Sequence, residues 1–181
     1  MSRFARMFHT VVFSLTLFAG AAFADGATVL TVTGAVSQPN RGAFDENTDK
    51  FLGFHEVTFD KARAFSLTDL AALTQTTIRA DFPQGKDLHE FSGPTLADVL
   101  AAAGATGQTV TIQALDGYAV DAPLAEMIAQ GAIVATSRDG APLGIGDFGP
   151  TWVVFPRADR ADLKDMPDDR WIWSIFHIHL E

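Results

Sequence analysis

The chain has 181 residues, contains no cysteine and has 22 acidic against 13 basic side chains, for a net charge of −9. This length predicts a single domain that can bury a core large enough to be stable without covalent cross-links. The lack of cysteine excludes disulfides, thiolate zinc sites, iron–sulfur clusters and cysteine nucleophiles. The acidic balance argues against nucleic acid as a partner, since a phosphate backbone would be repelled.

The first 24 residues have the pattern of an export signal. Arg3 and Arg6 precede an apolar run over residues 11–20, and residues 22–24 (Ala-Phe-Ala) match the small-x-small cleavage motif. The apolar run is shorter than the roughly 20 residues that a transmembrane helix needs. We therefore expect residues 1–24 to be a cleaved signal peptide. The mature domain, residues 25–181, is expected in the periplasm without membrane insertion, after passage through the general export route.

The beginning of the mature domain predicts strands separated by a long loop. Residues 28–33 are rich in β-branched side chains and end at Gly34, which is typical of a strand. Residues 37–49 are polar and rich in turn-forming residues, so they predict a surface loop. Residues 54–59 predict a return to strand.

Two helices have clear local signals. Residues 66–69 (Ser-Leu-Thr-Asp) have the form of a capping box with Asp in place of Glu, which predicts a short helix through about Leu73. Residues 76–78 then predict a strand. After Thr95, apolar residues recur with helical spacing until Gly104, which predicts a helix that ends there.

The second half predicts mostly strands. We expect a hairpin around Asp116-Gly117 with a type I′ turn, and a helix from Pro123 to Gly131. Further strands are predicted over residues 133–135, 152–155 and 171–180, with a turn at 138–140, a glycine-rich loop at 143–151 and a charged loop at 159–170. Because short strands outnumber helices and do not alternate regularly with them, the sequence predicts an α+β fold, a mostly β single domain with a few short helices.

Five blocks of the sequence, taken in order, resemble one known family. They are FSGPTLADVL at 91–100, ALDGY at 114–118, IVATSRDGAPL at 133–143, GPTWVVFP at 149–156 and WIW at 171–173. Their order and spacing resemble the molybdopterin-binding domain of sulfite-oxidase-type oxidoreductases, and in particular its small exported bacterial members. The resemblance covers about residues 28–180 and implies the fold of that domain, with molybdopterin as the cofactor of the family's enzymes.

The sequence departs from this family at the metal ligand. In the family's enzymes a cysteine thiolate binds molybdenum beside the pterin, in a segment that here is about residues 76–88, and this chain has no cysteine. Molybdenum favours soft sulfur, and softness governs ligand choice. Family enzymes also leave the cytoplasm folded, by the twin-arginine route, whereas Arg3 and Arg6 are not adjacent. We therefore expect no cofactor, although an oxygen ligand such as Asp81 stays open.

Candidate ligand-binding residues lie in loops near predicted strand ends. They are Arg79, Asp116, Tyr118, Arg138, Asp147 and Arg157. The arginines suit oxyanions such as carboxylate, phosphate or sulfite-like groups. A structural role is the alternative for each: ion pairs for the arginines, turn geometry for Asp116, and a half-buried strand position for Tyr118.

A second candidate site is the histidine pair near the C-terminus. His177 and His179 lie two residues apart in a predicted strand, so they project from the same face. Such a pair can bind a transition metal if His55, His89 or a carboxylate supplies a third ligand. The three tryptophans are predicted to lie in the core, with a partner surface as the alternative.

The sequence therefore predicts a periplasmic binding or interaction module on a molybdopterin-oxidoreductase-like scaffold, without molybdenum catalysis. Its expected partner is a small anion or a periplasmic sensory or partner protein. Two alternatives stay open. One is a molybdopterin-dependent oxidoreductase with a non-cysteine ligand, in which Arg79 and Tyr118 face the substrate oxyanion. The other is a transition-metal-binding protein that uses His177 and His179.

Overall fold

The computed structural model describes residues 26–181. The predicted signal peptide lies outside these residues. The largest layer is a five-stranded sheet in the order β2-β1-β11-β5-β6, in which β1 and β11 are parallel and the other neighbours are antiparallel. Its strands are β1 (Thr28–Gly34), β2 (Arg63–Ser66), β5 (Thr109–Ala114), β6 (Ala119–Pro123) and β11 (Ile175–Leu180).

A second sheet has four strands in the order β3-β4-β8-β9, and a separate antiparallel pair joins β7 to β10. The four strands are β3 (Gln75–Asp81), β4 (Leu88–Pro94), β8 (Ser137–Arg138) and β9 (Ala141–Pro142). The pair consists of β7 (Ile133–Ala135) and β10 (Trp152–Val154). All six residues of this pair are buried, which explains why they lack any polar alternation.

Residues 26–181 form four short α-helices: α1 (Lys50–Phe54), α2 (Leu67–Ala72), α3 (Leu96–Ala103) and α4 (Leu124–Ala129). Single 3-10 turns occupy Ala161–Leu163 and Asp168–Arg170. The predicted capping box is confirmed, since Ser66 accepts the Asp69 N–H and Asp69 accepts the Ser66 N–H. The predicted end of α3 is also confirmed, because Gly104 adopts the left-handed conformation with φ +56.

One main hydrophobic core joins these layers. Alternation along β1 places Leu30 and Val32 in this core, together with the apolar side of α3 and the β7–β10 pair. The opposite face of β1 carries Thr31 and Thr33, which are also buried. A small second cluster, formed by Leu52, Val57 and Phe176 with Phe44, Phe59 and Leu115, covers part of that region.

One strand prediction was wrong, and a second was wrong in extent. Residues 54–59 form the end of α1 and a turn through Glu56 (φ +58), because β2 already occupies the free edge of β1. The closing strand begins at Ile175, not at residue 171, because Ser174 has φ +52 and interrupts the extended backbone. The α+β fold class is confirmed, and no helix within residues 26–181 is long and apolar enough to cross a membrane.

The predicted type I′ turn occurs at a different Asp-Gly pair. A type I′ turn requires positive φ at both central residues, and Asp139 (φ +51) with Gly140 (φ +77) meets that requirement between β8 and β9. At Asp116-Gly117 only the glycine has positive φ. The Gly117 N–H donates to the Ala114 carbonyl and the Ala114 N–H to the Tyr118 carbonyl, the pattern of a three-residue loop that ends in a glycine bulge.

Gly93 in β4 provides a test of how closely the four-stranded sheet packs against β7. A Cβ atom at Gly93 would overlap the backbone oxygen of Val134 in β7. We expect Gly93→Ala to lower the free energy of unfolding by about 1–3 kcal/mol, as overpacking typically does. The control is Gly144→Ala, because a Cβ at Gly144 meets nothing within 4 Å. Chemical denaturation measures both, and equal stability of the two variants would contradict the packing described here.

Candidate functional site

A cleft of about 310 Å³ opens beside the β5–β6 loop. Its walls combine aromatic rings with carboxylates, and none of the residues within 26–181 that line it is a lysine, arginine or histidine. The lining side chains that matter for ligand binding are Phe82, Tyr118, Trp171 and Trp173 among the aromatic residues, and Asp116, Asp168 and Asp169 among the acidic ones. This volume is at the lower end of the range for small-molecule sites.

The β5–β6 loop positions two of the predicted site residues at this cleft. The Asp116 carboxylate accepts the Tyr118 N–H at 2.9 Å, which fixes the loop beside the aromatic ring. Tyr118 is half exposed, and its hydroxyl donates to the backbone oxygen of Asp169 at 3.1 Å. The hairpin is thereby tied to the turn at Asp168–Arg170, and the two segments form opposite sides of the cleft.

Arg157 lies behind the cleft and is 3% exposed. Its guanidinium donates to the Asp81 carboxylate at 2.7 Å and to the Asp168 carboxylate at 2.7 Å. It also donates to the backbone oxygens of Met166 and Asp81 and lies 4.4 Å from the centre of the Trp171 ring. With these donors engaged, Arg157 serves to join three chain segments, and the structural alternative describes it better than an anion receptor does.

Asp81 is held on both carboxylate oxygens. One accepts from Arg157 and the other accepts the Gly85 N–H at 2.6 Å. Partial burial acts to raise the pKa of Asp81, but the Gly85 N–H and the Arg157 charge together hold this pKa below its usual value. Asp81 is therefore an ionised partner in an ion pair, and each of its oxygens already accepts a hydrogen bond.

The remaining predicted residues lie outside the cleft. Arg79 is exposed and donates to the Asp159 carboxylate at 2.8 Å. Arg138 lies 3.8 Å from the Asp147 carboxylate and covers the ring of Phe148 at 5.3 Å. The structure thus brings Asp116 and Tyr118 together and places Arg157 behind them, whereas Arg79, Arg138 and Asp147 form separate surface pairs.

The histidine pair lies on the five-stranded sheet, on the face opposite Leu30 and Val32. His177 Nε2 is 2.8 Å and His179 Nδ1 is 2.9 Å from the same Thr33 hydroxyl oxygen. Burial lowers the pKa of His177 to about 4, and the charge of His179 adds to this shift. Within residues 26–181 no group of three histidine, aspartate or glutamate side chains is arranged to hold a metal ion. The predicted third ligand is thus not found there.

Among solved structures, the crystal structure of the sulfane dehydrogenase SoxCD from Paracoccus pantotrophus is similar to this chain. The match has a TM-score of 0.54 at 16% sequence identity, and it covers 83% of this chain and 37% of that chain. The fold is similar to the sulfite-oxidase type. At this identity the similarity shows the fold alone. Comparisons with protein-family models and with curated proteins found no match.

The segment that would supply a molybdenum ligand in this fold carries a packed aromatic ring. Phe82 lies 4.8 Å from the Trp152 ring and 5.7 Å from the Trp171 ring, measured between ring centres. Phe148 stacks on Trp152 at 4.3 Å. Molybdenum favours a soft ligand, and the phosphate of a pterin cofactor favours cationic donors. The residues within 26–181 that line the neighbouring cleft are acidic, aromatic or aliphatic and include neither a thiolate nor a cation. These residues therefore do not fit the group.

Sequence reasoning missed part of the cleft lining. Asp168 and Asp169 were placed in a charged loop without a role, and Trp171 and Trp173 were assigned to the core. Trp171 is buried as predicted, but Trp173 is 40% exposed. The available signal was the pairing of adjacent acidic residues with nearby tryptophans in residues 168–173, a combination that is unusual for a core strand.

Proposed function

We propose that this protein is a periplasmic binding or interaction module that uses a sulfite-oxidase-like scaffold without molybdenum chemistry. The observation that carries the proposal is the position of Phe82. This residue lies in the segment expected to supply the metal ligand, and its ring packs against Trp152 and Trp171. The chain also has no cysteine anywhere. A scaffold without its soft ligand and with an aromatic ring in that position has no means of holding the metal through sulfur.

The cleft supports a binding role. It retains about 310 Å³ beside the aromatic cluster and is lined by several polar groups that converge from different chain segments. This combination of apolar walls and a few converging polar groups is typical of small-molecule sites. The cleft does not present the arginines that we expected for a small anion, because Arg79 and Arg157 already bind carboxylates. A small anion is therefore the less favoured ligand.

The two alternatives have less support. An oxidoreductase with a non-cysteine ligand needs an available oxygen donor, and both oxygens of Asp81 are engaged by Gly85 and Arg157. A metal protein based on His177 and His179 needs a third ligand, and the described part of the chain groups none with them. Instead, one nitrogen of each ring is hydrogen-bonded to the Thr33 hydroxyl.

Metal and pterin analysis tests the proposal. The full chain is expressed in a host that makes molybdopterin and is purified from the periplasm, with a cysteine-ligated molybdopterin enzyme loaded in the same host as the positive control. We expect molybdenum and pterin contents far below one per chain. N-terminal sequencing of the same sample checks cleavage after Ala24. One molybdenum and one pterin per chain would overturn the proposal.

A further inference from the structure

We infer that the cleft beside the β5–β6 loop binds a small organic cation of the amine or quaternary ammonium class, held by aromatic rings and two carboxylates. The inference rests on the proposed function only in requiring that no pterin occupies the cleft. It reverses the charge of the sulfite-like ligand that the family resemblance suggested. Four observations on the cleft lead to it: its carboxylates, its exposed rings, its unpartnered indole and its lack of cationic side chains.

The carboxylates of the cleft are not equivalent. Asp168 is compensated by Arg157 at 2.7 Å. Asp116 and Asp169 line the same cleft, and within residues 26–181 neither has an ion-pair partner. The Asp116 carboxylate accepts one backbone N–H through Oδ1, which leaves Oδ2 available. Two uncompensated negative charges therefore face a cleft to which the described part of the chain contributes no cationic lining residue. This favours a positively charged ligand.

The aromatic walls suit the same kind of ligand. Tyr118 is 51% and Trp173 is 40% exposed, although large aromatic rings normally bury most of their surface. Phe82 also lines the cleft, whereas the ring of Trp171 is buried and already lies under the Arg157 guanidinium. A cation over an aromatic face is attracted by the negative face of the ring, most strongly with tryptophan, and quaternary ammonium groups are recognised by several rings at once. Binding of a cation would therefore explain why the rings of Tyr118 and Trp173 are exposed at the cleft.

The indole of Trp171 supplies an independent observation. Trp171 is only 2% exposed, yet its Nε1–H is buried and finds no acceptor within residues 26–181. By contrast, Trp152 Nε1 donates to the Trp171 backbone oxygen at 3.3 Å. A buried donor without a partner is costly and rare, so its place at a ligand cleft needs a reason. A ligand oxygen would satisfy it, which favours a cation that also carries an oxygen acceptor.

Titrations with a matched set of probes test the inference. Choline provides a quaternary ammonium group and a hydroxyl, tetramethylammonium provides the charge alone, and 3,3-dimethylbutan-1-ol is the neutral isostere of choline. We expect saturable calorimetric binding of both cations at millimolar concentrations or below, with binding of the isostere about 10-fold weaker. Choline should also shift the ¹H–¹⁵N resonance of the Trp171 indole, which the Trp171→Phe variant identifies.

Charge variants separate the site from a general field effect. Asp116→Asn combined with Asp169→Asn should weaken choline binding about 10-fold, since asparagine preserves the turn at residue 116 but removes the charge. Asp165→Asn is the control, because Asp165 is exposed, pairs with Lys164 and lies outside the cleft. Its choline affinity should equal that of the unmodified protein.

Three results would overturn the inference: no saturable binding of either cation, equal binding of choline and its isostere, or an equal effect on choline binding of Asp165→Asn and of the double variant Asp116→Asn with Asp169→Asn. A protein that contains no molybdenum and binds no cation would contradict this inference and leave the proposed function standing. One molybdenum per chain would overturn the proposed function, whatever the titrations give.

Discussion

Replacing Arg157 by methionine is expected to lower the free energy of unfolding by about 3–5 kcal/mol, the range for removal of one partner from a buried ion pair. Arg157 joins Asp81 to the Met166 carbonyl and the Asp168 carboxylate, so three chain segments, including its own, meet at its side chain. Methionine preserves much of the side-chain volume but leaves two partly buried carboxylates without their cation. Urea denaturation at neutral pH, with tryptophan fluorescence as the signal, measures the loss.

Arg79→Met is the matched control for this prediction. Arg79 also pairs with an aspartate at 2.8 Å, but its side chain is 58% exposed, against 2% for Arg157. Exposed pairs contribute little, so this variant should cost less than about 1 kcal/mol. Adding Asp81→Asn and Asp168→Asn to Arg157→Met should restore part of the stability, because the uncompensated charges are removed with their partner. Equal losses for Arg157→Met and Arg79→Met would show that Arg157 does not join these segments.

The contrast between these two arginines shows what the sequence cannot predict. Both were candidate anion receptors, because the sequence shows only that each is an arginine in a loop near a predicted strand end. Their roles depend on contacts between distant parts of the chain: Arg157 meets Asp81, 76 positions away, while Arg79 meets Asp159 at the surface. Burial follows from this tertiary packing, and no local pattern at residue 157 encodes it.

Features set by a few neighbouring residues were predicted well. The capping box at Ser66 and Asp69 and the left-handed stop at Gly104 both formed as expected. Each depends on hydrogen bonds between residues at most five positions apart, so the information is contained in the local sequence. The same is true of the short buried strand β7, which its uninterrupted apolar residues indicated.

The two Asp-Gly pairs mark the limit of such local signals. The dipeptide is the same at residues 116–117 and 139–140, but only the second adopts a type I′ turn. The difference lies in strand register: β8 and β9 leave two residues between their last paired positions, whereas the β5–β6 loop closes with a bulge at Gly117. That bulge directs Tyr118 toward the Asp169 carbonyl, so the candidate cleft depends on a detail that the dipeptide alone does not determine.

Only part of the candidate site could be predicted, because its residues come from distant parts of the sequence. Asp116 and Tyr118 are close in sequence and reached the cleft together. Asp169 and Trp173 come from a segment more than 50 positions away and meet them only through the fold. The resemblance to a molybdopterin-binding domain correctly indicated the type of fold. It also led us to expect an oxyanion, whereas the free charges at the cleft are those of Asp116 and Asp169.

Lowering the pH from 7 to 4 is expected to destabilise the fold by about 3 kcal/mol through His177 alone, at 1.36 kcal/mol for each unit of pKa shift. Burial, with a smaller effect of the His179 charge, lowers the pKa of His177 to about 4 in the folded chain. In the unfolded chain a histidine has a pKa of about 6.5. The unfolded state therefore binds the proton first. Stability is complete above pH 6.5, falls as the pH drops toward 4 and changes no further through this group below that value.

The surroundings of His177 explain why its neutral form is favoured. The ring is 6% exposed, and the Thr33 hydroxyl lies between it and His179. One hydroxyl can donate to one ring while it accepts from the other, so this contact is satisfied with both imidazoles neutral. A proton on His177 would place a charge in a buried layer beside His179, which carries a charge of the same sign when protonated.

Comparison with a non-titrating variant isolates this contribution from that of the many carboxylates. The difference in unfolding free energy between the unmodified protein and His177→Gln should change by about 3 kcal/mol in favour of the variant between pH 7 and pH 4, because all other groups titrate in both proteins. His89→Gln, on the second sheet, is the comparison variant, and its own effect on the curve includes the loss of the pair between His89 and Asp139. A difference for His177→Gln that stays constant with pH would mean that His177 is protonated as readily in the folded chain as in the unfolded one. The buried Thr33–His177 contact would then not restrict its charge.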